Sequence, residues 1–175
     1  MLLPKQAVGF RELRKQGFGK KYIQSMCASL KLFPTPFKGI YYVPLEEERK
    51  GAFIEKPFNA LAQAIRIFLG TDEFYFSCAT AEKALGLKWQ PDGGIHVVNA
   101  KLSRKIDLKG RASRNEAKKG WRARKIAALL PLYGSGIVFH KSDCVGCAKT
   151  KETPYGRFAT KSQIKLDRKK FGERE

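Results

Sequence analysis

Between Lys20 and Leu30 the apolar residues Ile23, Met26, Cys27 and Leu30 recur at i, i+3, i+4 and i+7. That spacing puts one apolar stripe on one face of an α-helix. Its surroundings constrain the fold further. Upstream, "GFRELRKQG" (9–17) predicts a short helix with Phe10 and Leu13 inward, ended by Gly17, and Phe18-Gly19 makes a tight turn. Downstream, "LKLF" and "IYYVP" are short apolar strands around the Pro/Gly-rich "PTPFKG", with Lys38 near the tip of the resulting hairpin. Helix, tight turn, helix and hairpin is the order of a winged helix-turn-helix.

The face of the second helix opposite the apolar stripe carries Lys20, Lys21, Gln24, Ser25 and Ser29. This set has the chemistry a duplex major groove demands: lysines for phosphate, Gln and Ser for base edges. Lys31 and Lys38 would extend the phosphate clamp on either side of the groove. Any amphipathic helix also has a polar face, so a purely structural helical hairpin capped by a ribbon satisfies the same pattern.

The wording of these segments resembles the N-terminal module of AbiEi-family antitoxin-like transcriptional regulators. The matching pieces are "FRELRKQGFGKKYIQSM" and "KGIYYVP", and a fainter likeness runs through "FYFSCATAEKALGL" and "GIHVVNAKLSRKIDL", over roughly 8–108. The family has a further helix before the first of these pieces, which "MLLPKQA" is too short to supply. The resemblance implies a winged helix-turn-helix antitoxin of a type IV toxin–antitoxin system. Such a protein represses its own operon and counteracts a nucleotidyltransferase-like toxin.

"PLEEERKG" (44–51) is polar, charged and bounded by Pro and Gly, and reads as a linker whose Glu46–Glu48 triplet keeps it hydrated. Beyond it, "NALAQAIRIFLG" predicts a helix with Asn59 as cap, Leu61, Ile65 and Phe68 inward and Gly70 as stop. "EFYFSC" reads as a buried strand, "ATAEKALG" as a short helix closed by Gly86, "IHVVNAK" and "RKIDLK" as strands, and "GSGIVFHK" as a closing strand. "SRNEAKKGWRARKIAALL" (113–130) predicts a helix with Arg114, Lys118, Arg122 and Lys125 along one face, a stripe able to follow a phosphate backbone or to lie solvated over a core. The last stretch is helical from Thr160 onward.

Thirty-five Lys and Arg against 16 Asp and Glu give a net charge of +19 in 175 residues. Residues 1–100 carry +5 of this and 101–175 carry +14. Such a chain holds polyanions through release of condensed counterions, whether DNA, RNA or an anionic surface. No run of about 18 apolar residues is present, so no membrane span is expected, and a cytoplasmic protein is the default.

Of four cysteines, Cys27 and Cys78 lie in apolar patterns and read as small buried hydrophobes. Cys144 and Cys147 form one CxxC after His140, three zinc-type ligands with nothing nearby to close a site, since His96 lies in a strand-like run. Reduced thiols or a local disulfide fit this loop better, and no metal or other cofactor is assigned.

No phosphate-binding glycine loop, nucleophile elbow or zinc-protease pair occurs. Asp107, Lys109 and Glu116 are the best trio for a metal-dependent nuclease. An RNA-binding or ribosome-associated protein is the other alternative. Its stacking residues would be Trp121, Tyr133, Tyr155 and Phe158 among the late basic residues.

These readings combine into an α+β chain: a winged helix-turn-helix over 1–45, a linker over 46–58 and a mixed α/β domain over 59–175 with a basic helix and basic C-terminal tail. The expected activity is non-enzymatic, sequence-specific binding of double-stranded DNA.

Overall fold

In the computed structural model, which describes residues 3–87, 94–116 and 128–172, the first ordered element is a strand, β1 (Gln6–Gly9). The chain turns directly from it into α1 (Phe10–Lys15), whose Leu13 is fully buried. Gly17 adopts φ +89°, a left-handed conformation that costs glycine nothing, and lets the chain reverse into α2 (Lys20–Ala28). Ile23, Met26 and Cys27 of α2 pack with Val8, Leu13, Leu32 and Val43 into one apolar cluster. Leu30 does not join that stripe. The helix ends at Ala28, Leu30 takes φ +57°, and its side chain is 39% exposed. The i+7 position falls beyond the last hydrogen-bonded turn.

The hairpin forms from β2 (Phe33–Pro34) and β3 (Ile40–Val43), with Phe33 opposite Tyr42. β1 pairs antiparallel with the other edge of β3, Gln6 opposite Val43 and Gly9 opposite Ile40, giving the sheet order β1-β3-β2. The hairpin loop is pinned from within: the Thr35 hydroxyl donates to the Ile40 carbonyl at 2.8 Å, and Phe37 is buried against Phe68, ring centroids 4.6 Å apart. Lys38 stays exposed at the tip.

Residues 46–58, read above as a linker, contain α3 (Glu46–Gly51) and the start of α4 (Pro57–Leu69). Glu48 is not a hydrating charge. It is buried and accepts hydrogen bonds from the Tyr42 hydroxyl, the Leu45 N–H and the Glu55 N–H. α4 starts at Pro57, so Asn59 lies inside the helix and is not its cap; proline at the first helical position needs no N–H partner there. Leu61 and Ile65 are buried as the periodicity predicts, and Gly70 closes the helix at φ +63°. α4 packs on β1 and β3. The Gln63 side chain latches β1 from both sides, its oxygen accepting the Ala7 N–H and its amide donating to the Lys5 carbonyl.

The chain divides into two compact units, one ending at Thr71 and the other beginning at Asp72. The second unit is also mixed α and β. Its six-stranded sheet contains β4 (Phe74–Phe76), β5 (Ile95–Asn99), β6 (Arg104–Asp107), β7 (Gly136–Lys141), β8 (Thr150–Thr153) and β9 (Gly156–Ala159), in the order β6-β7-β5-β4-β9-β8. β5 runs parallel to β7 and antiparallel to β4, and every residue of β5 is buried. β7 is therefore an interior strand rather than a closing one, with a further hairpin after it. Its Gly136 has φ +154° and approaches the Ile106 carbonyl so closely that no side chain fits.

Helices α5 (Cys78–Ala84) and α7 (Lys161–Phe171) pack together, with an Arg168–Glu82 ion pair at 2.6 Å between them. Between them in sequence, α6 (Leu108–Glu116) begins where Asp107 accepts the Gly110 N–H as an N-cap. Buried Asp167 of α7 accepts from the Tyr75 and Ser77 hydroxyls and the Gln163 amide, tying α7 to the end of β4.

Candidate nucleic-acid interface

Successive residues of an α-helix are about 100° apart around its axis. With Ile23, Met26 and Cys27 turned to the core, α2 must therefore point Lys21, Ser25 and Ala28 straight outward. Lys20 and Gln24 fall on one flank of that ridge, and Tyr22 and Ser29 on the other. All seven are exposed, and the Tyr22 ring is stacked on Phe18 at 5.6 Å.

The Lys20–Gln24 flank opens onto a groove of about 680 Å³. Lys38 at the hairpin tip and Arg11 of α1 line the same groove, and its apolar lining includes Phe10, Ile23, Tyr41 and Ile67. Three local devices hold it open. The Phe10 N–H donates to the Gly39 carbonyl at 2.6 Å, bringing the start of α1 against the hairpin. Gly39 takes φ +77°, which turns the loop back toward β3. The Phe37–Phe68 stack fixes the loop on α4. Burial pushes the Tyr41 phenol above its ordinary pKa, so the groove presents it as a neutral hydroxyl.

The structure thus gathers Lys20, Gln24 and Lys38 into one concave surface and places Lys21 and Ser25 on the adjoining ridge. Lys31 is exposed in the turn after α2 and does not line the groove. Arg11 and Tyr41 were missed, although Arg11 follows Phe10 at the helix start and Tyr41 precedes the inward Tyr42. Strand alternation applied to "IYYV" would have turned Tyr41 the other way from Tyr42. Among the described residues, Arg11, Lys20, Lys21 and Lys38 have no acidic partner in an ion pair, so their charge is available to a polyanion. The ion pair nearest in sequence, Lys5–Glu55 at 2.9 Å, instead ties the start of β1 to the residues before α4. It raises the Lys5 pKa and lowers that of Glu55.

In the second unit, Arg114 is exposed on α6 with its Nε donating to the Gly110 carbonyl at 3.0 Å. Lys118, Arg122 and Lys125, expected to continue its stripe, lie outside the described residues. Of the four aromatics offered for base stacking, Tyr133 and Phe158 are core residues, Trp121 lies outside the described residues and Tyr155 is exposed. Two of the four are thus closed to a nucleic acid by burial. Burial also pushes the Tyr133 phenol above its ordinary pKa. In the trio proposed for a nuclease, one Asp107 oxygen is taken up as the cap of α6.

Cys144 and Cys147 are bonded to each other as a disulfide. His140 is buried, its Nε2 3.0 Å from the Nδ1 of buried His96. Among the described residues no helix is long and apolar enough to cross a membrane. Comparison with family models, curated proteins and solved structures finds no match to this chain.

Proposed function

We propose that the first unit is a winged helix-turn-helix and that the protein is a sequence-specific, double-stranded-DNA-binding transcriptional regulator. The observation that carries this reading is the meeting of Lys20, Gln24, Lys38 and Arg11 in one groove beside the outward ridge of α2. Several features support it. The strand order β1-β3-β2, with two helices between the first two strands, is compatible with a winged helix. α4, from downstream in the chain, packs on β1 and β3 of the same sheet. The ridge residues are short or polar enough to approach base edges, while unpaired cations flank them.

In this reading Ser25 and Gln24 touch base edges as α2 enters the major groove, and Lys21 on the outward ridge holds phosphate. Lys20, Lys31, Lys38 and Arg11 hold phosphates on both sides. The resemblance to AbiEi-family regulators extends the proposal to an antitoxin that represses its own operon and opposes a nucleotidyltransferase-like toxin. The second unit, where Arg114 is exposed on α6, would lengthen the footprint or hold that partner.

The test is binding to the protein's own upstream DNA, a scrambled duplex and single-stranded RNA, each across a salt series. Preference for the upstream duplex by roughly a thousandfold over the scrambled one is the expected result. Equal, steeply salt-dependent binding to all three would reduce the interaction to net charge and sink the proposal.

A further inference from the structure

Cys78, His96 and His140 are 62 residues apart from first to last, yet the fold brings them together inside the second unit. Two come from interior strands of the sheet and the third from the start of the helix that follows another. His96 and His140 lie on the parallel neighbours β5 and β7, where Val98 is opposite His140 and Val138 opposite His96. The two histidines are thus two positions apart in register and point to the same side of the sheet. Cys78 follows β4, the other neighbour of β5, as the first residue of α5.

The geometry is that of a ligand set. His96 Nδ1 and His140 Nε2 are 3.0 Å apart, and one ligating atom from each of the three residues lies within 4.8 Å of the others. Zinc bonds of about 2.0–2.1 Å to nitrogen and 2.3 Å to sulfur, at tetrahedral angles, need ligand atoms roughly 3.3–3.6 Å apart. Small side-chain rotations span the difference. All three residues are buried: Cys78 at 0%, His96 at 7% and His140 at 8% exposure.

The support around the cluster is built rather than incidental. Cys78 holds φ +49°, a left-handed conformation that residues with a Cβ rarely adopt and that turns the chain sharply at the end of β4. The Thr80 hydroxyl accepts the His96 backbone N–H at 2.7 Å, joining α5 to β5 beside the cluster. The Phe171 ring stacks on His140 at 4.3 Å and covers it from α7.

We propose that Cys78, His96 and His140 bind one divalent transition-metal ion of the zinc class. One thiolate and two neutral imidazoles suit zinc or cobalt and disfavour magnesium or calcium, which take oxygen ligands. Binding forms the metal–sulfur bond as the Cys78 thiol proton leaves to solvent. Among the described residues no fourth Cys, His, Asp or Glu joins the group, so water would complete the coordination. Burial of all three ligands assigns the ion a structural role: it clamps α5, at the end of β4, to β5 and β7.

The test is cobalt titration of the full-length protein after chelation, with the Cys144–Cys147 disulfide intact. Wild type should take up one Co²⁺ per chain, with visible d–d bands of tetrahedral intensity and a thiolate-to-cobalt charge-transfer band. Both should be displaced by zinc. Cys78→Ser should abolish the charge-transfer band, and His96→Gln should weaken binding by more than the about 10–100-fold typical of losing a second-shell partner. A Cys144→Ser/Cys147→Ser variant should keep every signal. Wild type without a charge-transfer band overturns the proposal whether or not the Cys78 variant folds, as does a band lost only with Cys144 and Cys147.

Discussion

Replacing Glu48 by Gln tests the energetics of the first unit at its most concentrated point. The wild-type carboxylate takes the Leu45 N–H on Oε2 at 2.8 Å and the Glu55 N–H on Oε1 at 2.9 Å, while the Tyr42 hydroxyl lies 3.1 Å from both oxygens. A glutamine has one acceptor oxygen. Its amide nitrogen must face either the Leu45 or the Glu55 N–H, donor against donor, at a site where the residue is only 2% exposed. One charge-assisted hydrogen bond is lost and one buried donor is left over, which together cost about 2–3 kcal/mol. At 1.4 kcal/mol per factor of ten, that is a roughly 30- to 150-fold rise in opening of the unit. Hydrogen exchange followed by mass spectrometry reads this directly. Amides of β1 and β3 should exchange faster by that factor, while those of β5 and β7 serve as the internal control. Tyr42→Phe, which removes one donor and leaves the carboxylate its other two, should cost only about 0.5–1.5 kcal/mol. Its effect should shrink in the double variant, because the two residues share one interaction. Exchange in Glu48→Gln within about threefold of wild type, well under 1.4 kcal/mol, would refute the reasoning.

Three further outcomes follow from particular residues. Gln24→Ala should cost about 1–3 kcal/mol of discrimination between the upstream site and a scrambled duplex, whereas Lys21→Ala should weaken both alike and lower the salt slope by about one. Equal losses on both sequences from Gln24→Ala would remove the base contact. Gly136→Ala should break the β6–β7 pairing, since the added Cβ collides with the Ile106 backbone carbonyl. Soluble yield and thermal stability should both fall, and a wild-type melting temperature would show that the strands can shift. Tyr75 and Tyr133 are held above their ordinary pKa of 10.0, chiefly by burial, so the folded state keeps phenolic protons that the unfolded chain gives up. Their contribution is complete below pH 10 and declines above it, by about 1.4 kcal/mol per pH unit for each tyrosine. Alkaline unfolding should therefore begin above pH 10, and Tyr133→Phe should flatten it; an unchanged slope would mean that the phenol is not what titrates.

The local periodic signals of this sequence were legible because short-range geometry decides them. α2 shows its buried stripe at i, i+3 and i+4, and α7 begins where Thr160 was read as its start. What escaped had no period to show. β1 buries only Val8 in four residues, too little for alternation to be visible. The acidic triplet looked like a solvated linker because the three donors that bury Glu48 come from Tyr42, Leu45 and Glu55, not from its own helix pattern. Leu30 fitted the stripe by arithmetic, but the helix had already ended. Lys20, Gln24 and Lys38 show their chemistry in the sequence, but the groove that unites them depends on a long-range stack between Phe37 and Phe68. The Cys78–His96–His140 cluster is the extreme case. Its gaps of 18 and 44 residues resemble no ligand spacing, while the adjacent Cys144 and Cys147 imitate one and are bonded to each other.

The downstream origin of α4 has a consequence during synthesis. β1 is made well before the Gln63 side chain that latches it and the Phe68 ring that seats the hairpin loop. At 5–20 residues per second, roughly 3–13 s separate Gln6 from Leu69. During that interval α2 exists without its finished platform. A nascent chain that ends before α4 therefore carries Arg11, Lys20, Gln24 and Lys38 but not the Ile67 and Phe68 that complete the groove. The groove takes its shape only once the whole first unit has been translated.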